Sequence, residues 1–294
     1  IDFLEFYGAE WLRLSEPKRL GEEPGELNHR LLEPRGITAV IAPWNFPLAI
    51  PTGMVSAALV TGNPVLFKPS ERSPIMGQLM AELLVEAGVP EAVLLCLHGG
   101  PEIGRALTQH PAITTIAFTG SKKVGLGLLK DTAAVVPGQR MVKRVIAEMG
   151  GKNAVIIDET ADLDEAVAGV IASSTGYSGQ KCSACSRAIV HAAVYDLFLK
   201  RLQEAVASLR VGNPEHPGTQ VGPVIDERAQ ASILDYIKIG NQEGRVMVEG
   251  RVTQPGWYVG PTVFADVAPT ARIAQEEIFG PVLAVLKAGS FEEA

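Results

Sequence analysis

Cys182 lies in a segment whose residue types suit a reactive cysteine. It stands in the run GQKCSACSR, residues 179–187, where small residues follow a glycine turn and leave room for a substrate to reach the sulfur. A thiolate at this position could add to a carbonyl carbon and form a covalent intermediate. The alternative is a buried structural cysteine, which is the commoner use of a free Cys. Cys185, at the start of a predicted strand, is interpreted as structural.

Two polar residues upstream could complete such chemistry. Asn45 stands in the run PWNFP, residues 43–47. Its amide could secure its own turn or donate to a developing oxyanion, and the residues alone leave both open. Glu148 precedes Met149 and two glycines that give room beside its carboxylate, as a general base needs. A carboxylate at a strand end is more often simply solvated.

Alternating apolar runs and helical periodicity predict the elements that position these residues. Helices are predicted at 1–14, 51–61, 74–87, 101–109, 163–175, 193–209 and 226–242, and strands at 37–42, 65–68, 92–97, 114–118, 153–157, 187–191, 246–249 and 282–286. Short strand–helix connections favour parallel, doubly wound sheets, so the predicted fold class is α/β. Because the glycine pair at 150–151 is a natural hinge, we place a domain boundary before Glu148, giving domains 1–147 and 148–294.

Two strand ends carry residues that could hold a nucleotide. Lys68 and Glu71 follow a predicted strand end, where ligands bind in open α/β sheets, although a surface lysine and a helix-capping glutamate would look the same. Gly120 and Ser121 lie between a strand and a helix, whose N-terminus could receive a pyrophosphate. The standard G-x-G-x-x-G fingerprint is missing from the sequence.

Composition argues against several functional classes. A net charge of −7 over 294 residues argues against binding nucleic acid. Three cysteines cannot form a disulfide framework, and the C-x-x-C pair at 182–185 has no second pair to complete a zinc site, so no metal is predicted. The spacing of this pair by itself leaves thiol–disulfide chemistry open. The three cations in residues 140–144 are interpreted as a solvated segment. No apolar run reaches the roughly 18 residues of a membrane span, and a cytoplasmic location is expected.

Four runs together resemble the motifs of the aldehyde dehydrogenase superfamily. They are PWNFP at 43–47, EMGGKN at 148–153, GQKCSACSR at 179–187 and EIFGP at 277–281. The resemblance covers nearly the whole chain and implies a doubly wound NAD-binding domain followed by an α/β catalytic domain. It implies that Cys182 is the nucleophile, that Asn45 donates to the oxyanion, and that Glu148 is the base for thioester hydrolysis.

The same resemblance implies NAD as the cofactor. It places Lys68 and Glu71 on the adenosine ribose, and Glu277 and Phe279 on the nicotinamide ribose and ring. A glutamate at position 71 would repel a 2′-phosphate, which favours NAD over NADP. The remaining cofactor-binding residues that it implies are Ile41, Trp44, Gly120, Ser121, Gly125 and Gly150.

Residues near Cys182 resemble one branch of the superfamily in particular. The run GQKCSACSR and the run VKRV at 142–145 are similar to those of 1-pyrroline-5-carboxylate (L-glutamate γ-semialdehyde) dehydrogenases, and Ser183 matches a residue that contacts the substrate carboxylate there. The resemblance implies oxidation of L-glutamate γ-semialdehyde to glutamate in proline catabolism, through a thiohemiacetal and a thioester on the cysteine, by a full-length protein that is a homo-oligomer. It also predicts that this chain is a central segment without the family's two termini.

Three alternatives stay open at this point. The chain could belong to a dehydrogenase for another semialdehyde, such as succinate semialdehyde. It could be a cysteine hydrolase, which would use Cys182 and Glu148 but would not need Lys68 or Glu277. It could also be an inactive fragment of such an enzyme.

Overall fold

Buried apolar strands organise the chain into two five-stranded sheets, one in each of two units, Ile1–Met149 and Gly150–Ala294. The computed structural model describes residues 1–252 and 254–294. The units divide after Met149, so Glu148, which the sequence analysis assigned to the second domain, is the last strand residue of the first unit. Among the described residues, no helix is long and apolar enough to cross a membrane.

The elements of the first unit alternate between strands and helices from residue 37 onward. The helices are α1 (Asp2–Ser15), α2 (Ala49–Val60), α3 (Pro74–Glu86), α4 (Pro101–Gln109) and α5 (Lys122–Ala133). The strands are β1 (Lys18–Arg19), β2 (His29–Arg30), β3 (Ile37–Ile41), β4 (Val65–Lys68), β5 (Leu94–Cys96), β6 (Ile113–Thr119) and β7 (Arg144–Glu148). β1 and β2 pair antiparallel and lie outside the main sheet.

The sheet of the first unit is parallel throughout, in the order β5-β4-β3-β6-β7. The strand order reverses at β3, which lies between β4 and β6. Side chains of β3 alternate between two apolar cores: Val40 packs with residues of α2 and α3, and Ala39 packs with residues of α4 and α5. Helices therefore cover both faces, which confirms the prediction of a doubly wound α/β sheet.

The second unit repeats this layering with a different strand order. Its helices are α6 (Leu163–Thr175), α7 (Tyr195–Ala207), α8 (Glu227–Glu243) and α9 (Arg272–Gln275), and its strands are β8 (Asn153–Ile157), β9 (Cys185–His191), β10 (Arg245–Glu249), β11 (Thr262–Ala265) and β12 (Val282–Ala288). The order is β10-β11-β12-β9-β8, parallel except for β10. Residues of α6 and α7 pack on one face, and residues of α8 and α9 on the other.

Several segments differ from the sequence-based expectation. The first half of the strand predicted at 92–97 forms a 3-10 turn, Glu91–Val93, and only Leu94–Cys96 pairs with β4. β7 and β11 were not predicted, because β7 is a half-exposed edge strand that begins in the basic run and β11 has only four residues. Short or exposed strands lack the continuous apolar run that marks a buried strand.

The prediction of a solvated basic segment at 140–144 is wrong for Lys143. This side chain is buried, and its ammonium donates to the Thr108 and His110 carbonyls at 2.5 and 2.9 Å. Those carbonyls lie at the C-terminal end of α4, where the helix leaves acceptors unsatisfied and favours a cation. Burial lowers the pKa of Lys143. The cation therefore caps a helix instead of facing water.

Gly240 of α8 provides a test of the packing in the second unit. A Cβ at this position would lie 2.5 Å from Phe264 Cζ, so Gly240→Ala should overpack the core and lower the free energy of unfolding by about 1–3 kcal/mol. Gly169→Ala is the matched control, because Gly169 is an exposed position of α6 where a Cβ meets no heavy atom within 4 Å. It should raise the same quantity by about 0.5–1 kcal/mol. Urea unfolding measures both, and equal effects of the two substitutions would contradict the packing.

Candidate active-site residues

The carboxyl edge of the first unit's sheet gathers four of the loops singled out in the sequence. In the pairing register, Ile41 lies opposite both Lys68 of β4 and Phe118 of β6, and Thr119 lies opposite Glu148 of β7. The segments that follow these residues therefore leave the sheet at one edge, beside the point where the strand order reverses. That crevice is where open α/β sheets bind ligands.

Lys68 places a buried cation at this edge. Its side chain is 6% exposed, whereas that of Glu71 is 53% exposed. The ammonium donates to the Pro69 carbonyl at 3.1 Å and lies 3.6 Å from a Glu71 carboxylate oxygen. The loop after β4 thus presents one cation and one carboxylate side by side, a pair that can donate to and accept from sugar hydroxyls.

The loop after β3 carries Trp44 and Asn45. Asn45 is buried, as a side chain needs to be if its amide is to act in a site from which water is excluded. The guanidinium of Arg72 lies 6.0 Å from the centre of the Trp44 ring. This cation–π contact joins the loop after β3 to the loop after β4.

Close packing explains the glycines between β6 and α5. A Cβ at Gly125 would lie 2.6 Å from Met149 Sδ, and one at Gly120 would lie 2.6 Å from Phe118 Cζ. The Gly120 N–H donates to the Glu148 carbonyl at 3.0 Å. Ser121 is the N-cap of α5, since its Oγ accepts from the Val124 N–H at 3.4 Å. The N-terminus of α5 therefore approaches the carboxyl edge of the sheet closely.

In the second unit, Cys182 lies in a tight turn that precedes β9. The Ala184 N–H donates to the Lys181 carbonyl at 3.1 Å, which closes the turn around Cys182 and Ser183. The preceding residues Tyr177 and Ser178 both have φ of 56°, a left-handed conformation that costs of order 1–3 kcal/mol in a residue with a side chain. Such backbone persists only where its surroundings hold it.

Side chains from neighbouring segments hold this turn. Asn153 donates its amide to the Cys182 carbonyl at 2.6 Å, and Ser178 Oγ donates to the Gly222 carbonyl at 2.9 Å. The buried Gln180 accepts from the Ile225 N–H at 2.8 Å through its side-chain oxygen. Asn153 and Gln180 belong to the motifs at 148–153 and 179–187. A sequence motif does not show which carbonyl or amide group each side chain reaches.

Glycines allow three loops of the second unit to touch at the amino ends of β8, β9 and β12. A Cβ on Gly179 would overlap the Gly280 carbonyl, and φ of 70° at Gly179 also favours glycine. A Cβ on Gly150 would overlap the Glu277 carboxylate. The structure thus brings the Cys182 turn, Gly150 and the Glu277–Phe279 segment together. Phe279 has φ of 59°, so this segment is strained as well.

Burial shifts the pKa values of Glu277 and of the neighbouring Lys152. It raises the pKa of Glu277, against the opposing effects of the Gly151 N–H and the positive charge of Lys152. Burial and the nearby Arg187 lower the pKa of Lys152 to about 8. The Lys152 ammonium nitrogen and Arg187 Nε are buried without a hydrogen-bond partner among the described residues. A half-buried carboxylate therefore lies near a cation, Lys152, that is itself poorly solvated.

The neighbouring Glu276 has the opposite environment. It accepts two hydrogen bonds from Arg272, at 2.9 and 3.0 Å, and one from the Tyr236 hydroxyl at 2.8 Å. The Arg272 and Tyr236 bonds lower the pKa of Glu276 to about 2. This network anchors the residue directly before Glu277 to α8 and α9, which restricts where the Glu277 side chain can lie.

Cys185 differs from Cys182 in accessibility. Cys185 is 3% exposed, and its thiol donates to the Arg187 carbonyl at 3.3 Å. Burial raises the pKa of this thiol, so it is a poor nucleophile. Cys182 is partly exposed. The structure therefore agrees with the interpretation of Cys185 as structural.

The candidate residues divide between the two units. Asn45 and Glu148 belong to the first unit, together with the proposed cofactor residues Ile41, Trp44, Lys68, Glu71, Gly120, Ser121 and Gly125. Cys182 and Ser183 belong to the second, together with Gly150, Glu277 and Phe279. Within residues 1–252 and 254–294, no group of three or more His, Cys, Asp or Glu side chains could hold a metal ion.

Comparison with known proteins gives matches along the whole chain. The model of a family described as the aldehyde dehydrogenase family matches residues 1–294. A 1-pyrroline-5-carboxylate dehydrogenase of Geobacillus thermodenitrificans is 50% identical over 296 aligned residues, which cover 100% of this chain and 58% of that protein. The chain therefore spans little more than half the length of this curated relative.

Solved structures match the fold of the chain closely. A 1-pyrroline-5-carboxylate dehydrogenase from Thermus with bound NAD is 43% identical, with a TM-score of 0.96 over 99% of this chain and 57% of that one. Proline utilization A from Bdellovibrio bacteriovorus is 49% identical, with a TM-score of 0.96 over 99% of this chain and 31% of that one.

The two cysteines of the C-x-x-C pair should differ in reactivity. With iodoacetamide at neutral pH, Cys182 should be alkylated at least about tenfold faster than Cys185, because burial blocks Cys185 and disfavours its thiolate. Mass spectrometry of quenched samples follows both sites. In Cys182→Ala the slow rate at Cys185 should be unchanged, and in urea the two rates of the unsubstituted chain should converge. Fast alkylation of Cys185 in the folded chain would contradict the described turn.

Proposed function

The chain belongs to the aldehyde dehydrogenase family, and we propose that the protein it represents oxidises L-glutamate γ-semialdehyde to glutamate with NAD. The observation that carries the proposal is the Cys182 turn, which holds a partly exposed thiol among small residues by bonds to its backbone. Relatives named 1-pyrroline-5-carboxylate dehydrogenases support the substrate. Because the chain spans 58% of such a relative, the activity of the whole protein is part of the proposal.

Cys182 supplies the nucleophile in this proposal. Its sulfur forms a bond to the aldehyde carbon while the carbonyl π electrons move to oxygen, which makes the carbon tetrahedral. A tetrahedral carbon can release a hydride, whereas a planar aldehyde carbon cannot. The hydrogen bonds that hold the Cys182 turn restrict the sulfur position before substrate arrives, which lowers the entropic cost of the addition.

Asn45 stabilises the oxygen that becomes negative in that step. Its buried side-chain N–H donates to the developing oxyanion, and the Cys182 backbone N–H is the second proposed donor. A donor that is fixed and shielded from water stabilises such charge more strongly than water does. The burial of Asn45 supports this role.

The residues that would hold NAD offer the donors and acceptors that a dinucleotide needs. Lys68 and Glu71 offer a donor and an acceptor to ribose hydroxyls at the carboxyl edge of the first unit's sheet. Gly120 and Gly125 let the N-terminus of α5 approach the strands, as pyrophosphate binding needs. Glu277 is a half-buried acceptor for the second ribose. Bound NAD would supply the hydride acceptor, and loss of hydride from the tetrahedral carbon would leave a thioester on Cys182.

Glu148 and Ser183 complete the cycle. Glu148 takes a proton from water as the water oxygen bonds to the thioester carbon, and the carbon–sulfur bond then breaks to release the acid and free Cys182. Ser183, exposed beside Cys182, donates to the distant carboxylate of the substrate. The expected cytoplasmic location and homo-oligomeric state stay predictions of the sequence.

The proposal is tested by the first turnover of NADH formation in a stopped-flow instrument. Glutamate semialdehyde with NAD should give a burst, and succinate semialdehyde should give a burst at least about tenfold slower, because it lacks the amino group that the proposed substrate carries. Cys182→Ala should abolish the burst and leave NAD binding by calorimetry nearly unchanged. A burst that survives in Cys182→Ala contradicts the nucleophile, and equal rates with both aldehydes contradict the substrate.

Glu148→Gln should separate thioester formation from its hydrolysis. The amide cannot take a proton from water, so the burst of NADH should persist while the steady-state rate falls by about 10²–10⁴-fold. Glu159→Gln is a matched control, since it removes another exposed carboxylate from a different loop. A steady-state rate in Glu148→Gln equal to that of the unsubstituted protein, with no change in burst amplitude, would refute the assignment.

A further inference from the structure

A buried cation at the carboxyl edge of the first unit's sheet interacts with two carboxylates, one in the loop after β4 and one in the first turn of α4. Lys68 is 4% exposed. Glu71, three residues later, lies 3.6 Å from its ammonium nitrogen. The second carboxylate belongs to Glu102, in the first turn of α4. Nothing in the sequence points to Glu102, because its position relative to Lys68 depends on the pairing of β4 with β5 and on the path of the chain between them.

The start of α4 fixes the Glu102 carboxylate. One of its oxygens accepts from the Gly100 N–H at 2.8 Å. A Cβ at Gly100 would lie 2.8 Å from the other oxygen, so glycine leaves the space that the carboxylate occupies. α4 also lies against the Lys68 stem, since a Cβ at Gly104 would lie 3.9 Å from Lys68 Cδ. The Glu102 side chain is therefore folded back on the N-terminus of α4, and this helix lies against Lys68 at the end of β4.

Glu102 is held in its charged form by these neighbours. Its own N–H and the Gly100 N–H lower its pKa most, and the positive charge of Lys68 lowers it further. The same Lys68 charge attracts Glu71. The Lys68 ammonium alone would attract a phosphate. Together with the Glu71 and Glu102 carboxylates, however, it forms a group with a net charge of −1.

We propose that Glu102 is a second specificity residue, which acts with Glu71 to disfavour a dinucleotide carrying a phosphate on its adenosine ribose. The inference rests on the proposed NAD site at Lys68. A phosphate monoester carries a charge of about −1.5 to −2 at neutral pH, so two carboxylates around Lys68 repel it, whereas ribose hydroxyls can donate to them. Glu102 thus supplies a part of the discrimination that the sequence attributed to Glu71 alone.

The test compares the dissociation constants of NAD and NADP by calorimetry on the full chain and its variants. Glu102→Gln keeps an oxygen that can accept from the Gly100 N–H and removes only the charge. NADP should bind about threefold to fivefold more tightly to this variant, and NAD affinity should change less than about twofold. The gain in NADP affinity should shrink at about 1 M salt, where the Debye length is about 3 Å. Glu71→Gln with Glu102→Gln should gain more than either alone.

Glu86→Gln is the matched control for net charge, because Glu86 is an exposed carboxylate at the C-terminal end of α3. It should leave both dissociation constants unchanged. The inference would be overturned by an unchanged NADP affinity in Glu102→Gln, by equal weakening of both dinucleotides, or by the same gain in NADP affinity in Glu86→Gln. In each of these cases, NAD binding to the unsubstituted chain would still support the proposed cofactor. An unsubstituted chain that binds neither dinucleotide would overturn the proposed cofactor and the inference together.

Discussion

Parallel strand pairing is the constraint on which the candidate sites of this chain depend. In the first unit, the register that sets Ile41 level with Lys68 and Phe118 sends the loops after β3, β4 and β6 out of one edge of the sheet. In the second unit, the same kind of pairing collects the segments that precede β8, β9 and β12. Residues far apart in the sequence become neighbours because the corresponding ends of parallel, hydrogen-bonded strands lie at the same edge of the sheet.

Within that frame, burial and close backbone approach determine the chemical character of each group. Cys182 and Cys185 are three residues apart, yet one thiol is partly exposed and the other is buried with a raised pKa. Glu276 and Glu277 are adjacent, yet Arg272 lowers the pKa of the first and burial raises that of the second. Environment, and not residue type, separates these pairs.

Three lysines of the chain are buried or partly buried, each in a different environment. Lys143 satisfies carbonyls at the end of a helix, and Lys68 interacts with carboxylates at a sheet edge. The Lys152 nitrogen lacks a hydrogen-bond partner among residues 1–252 and 254–294, and burial lowers its pKa. The sequence alone does not distinguish these three environments, because the residue type is the same in each. Charged groups are buried only where local acceptors or nearby charges offset part of the lost hydration.

The sequence by itself determined the α/β class, the bounds of β4, β8 and α6, and the family through the runs around Asn45, Glu148, Cys182 and Glu277. These features depend on local periodicity and on short motifs, which are contiguous in the chain. It did not reveal β7, the buried state of Lys143, the bond from Asn153 to the Cys182 carbonyl, or the position of Glu102. Those features depend on contacts between segments 20 or more residues apart, or on the direction in which the first turn of a helix presents its side chains. Only the tertiary structure decides them, because hydrogen bonding and burial act between residues that are neighbours in space.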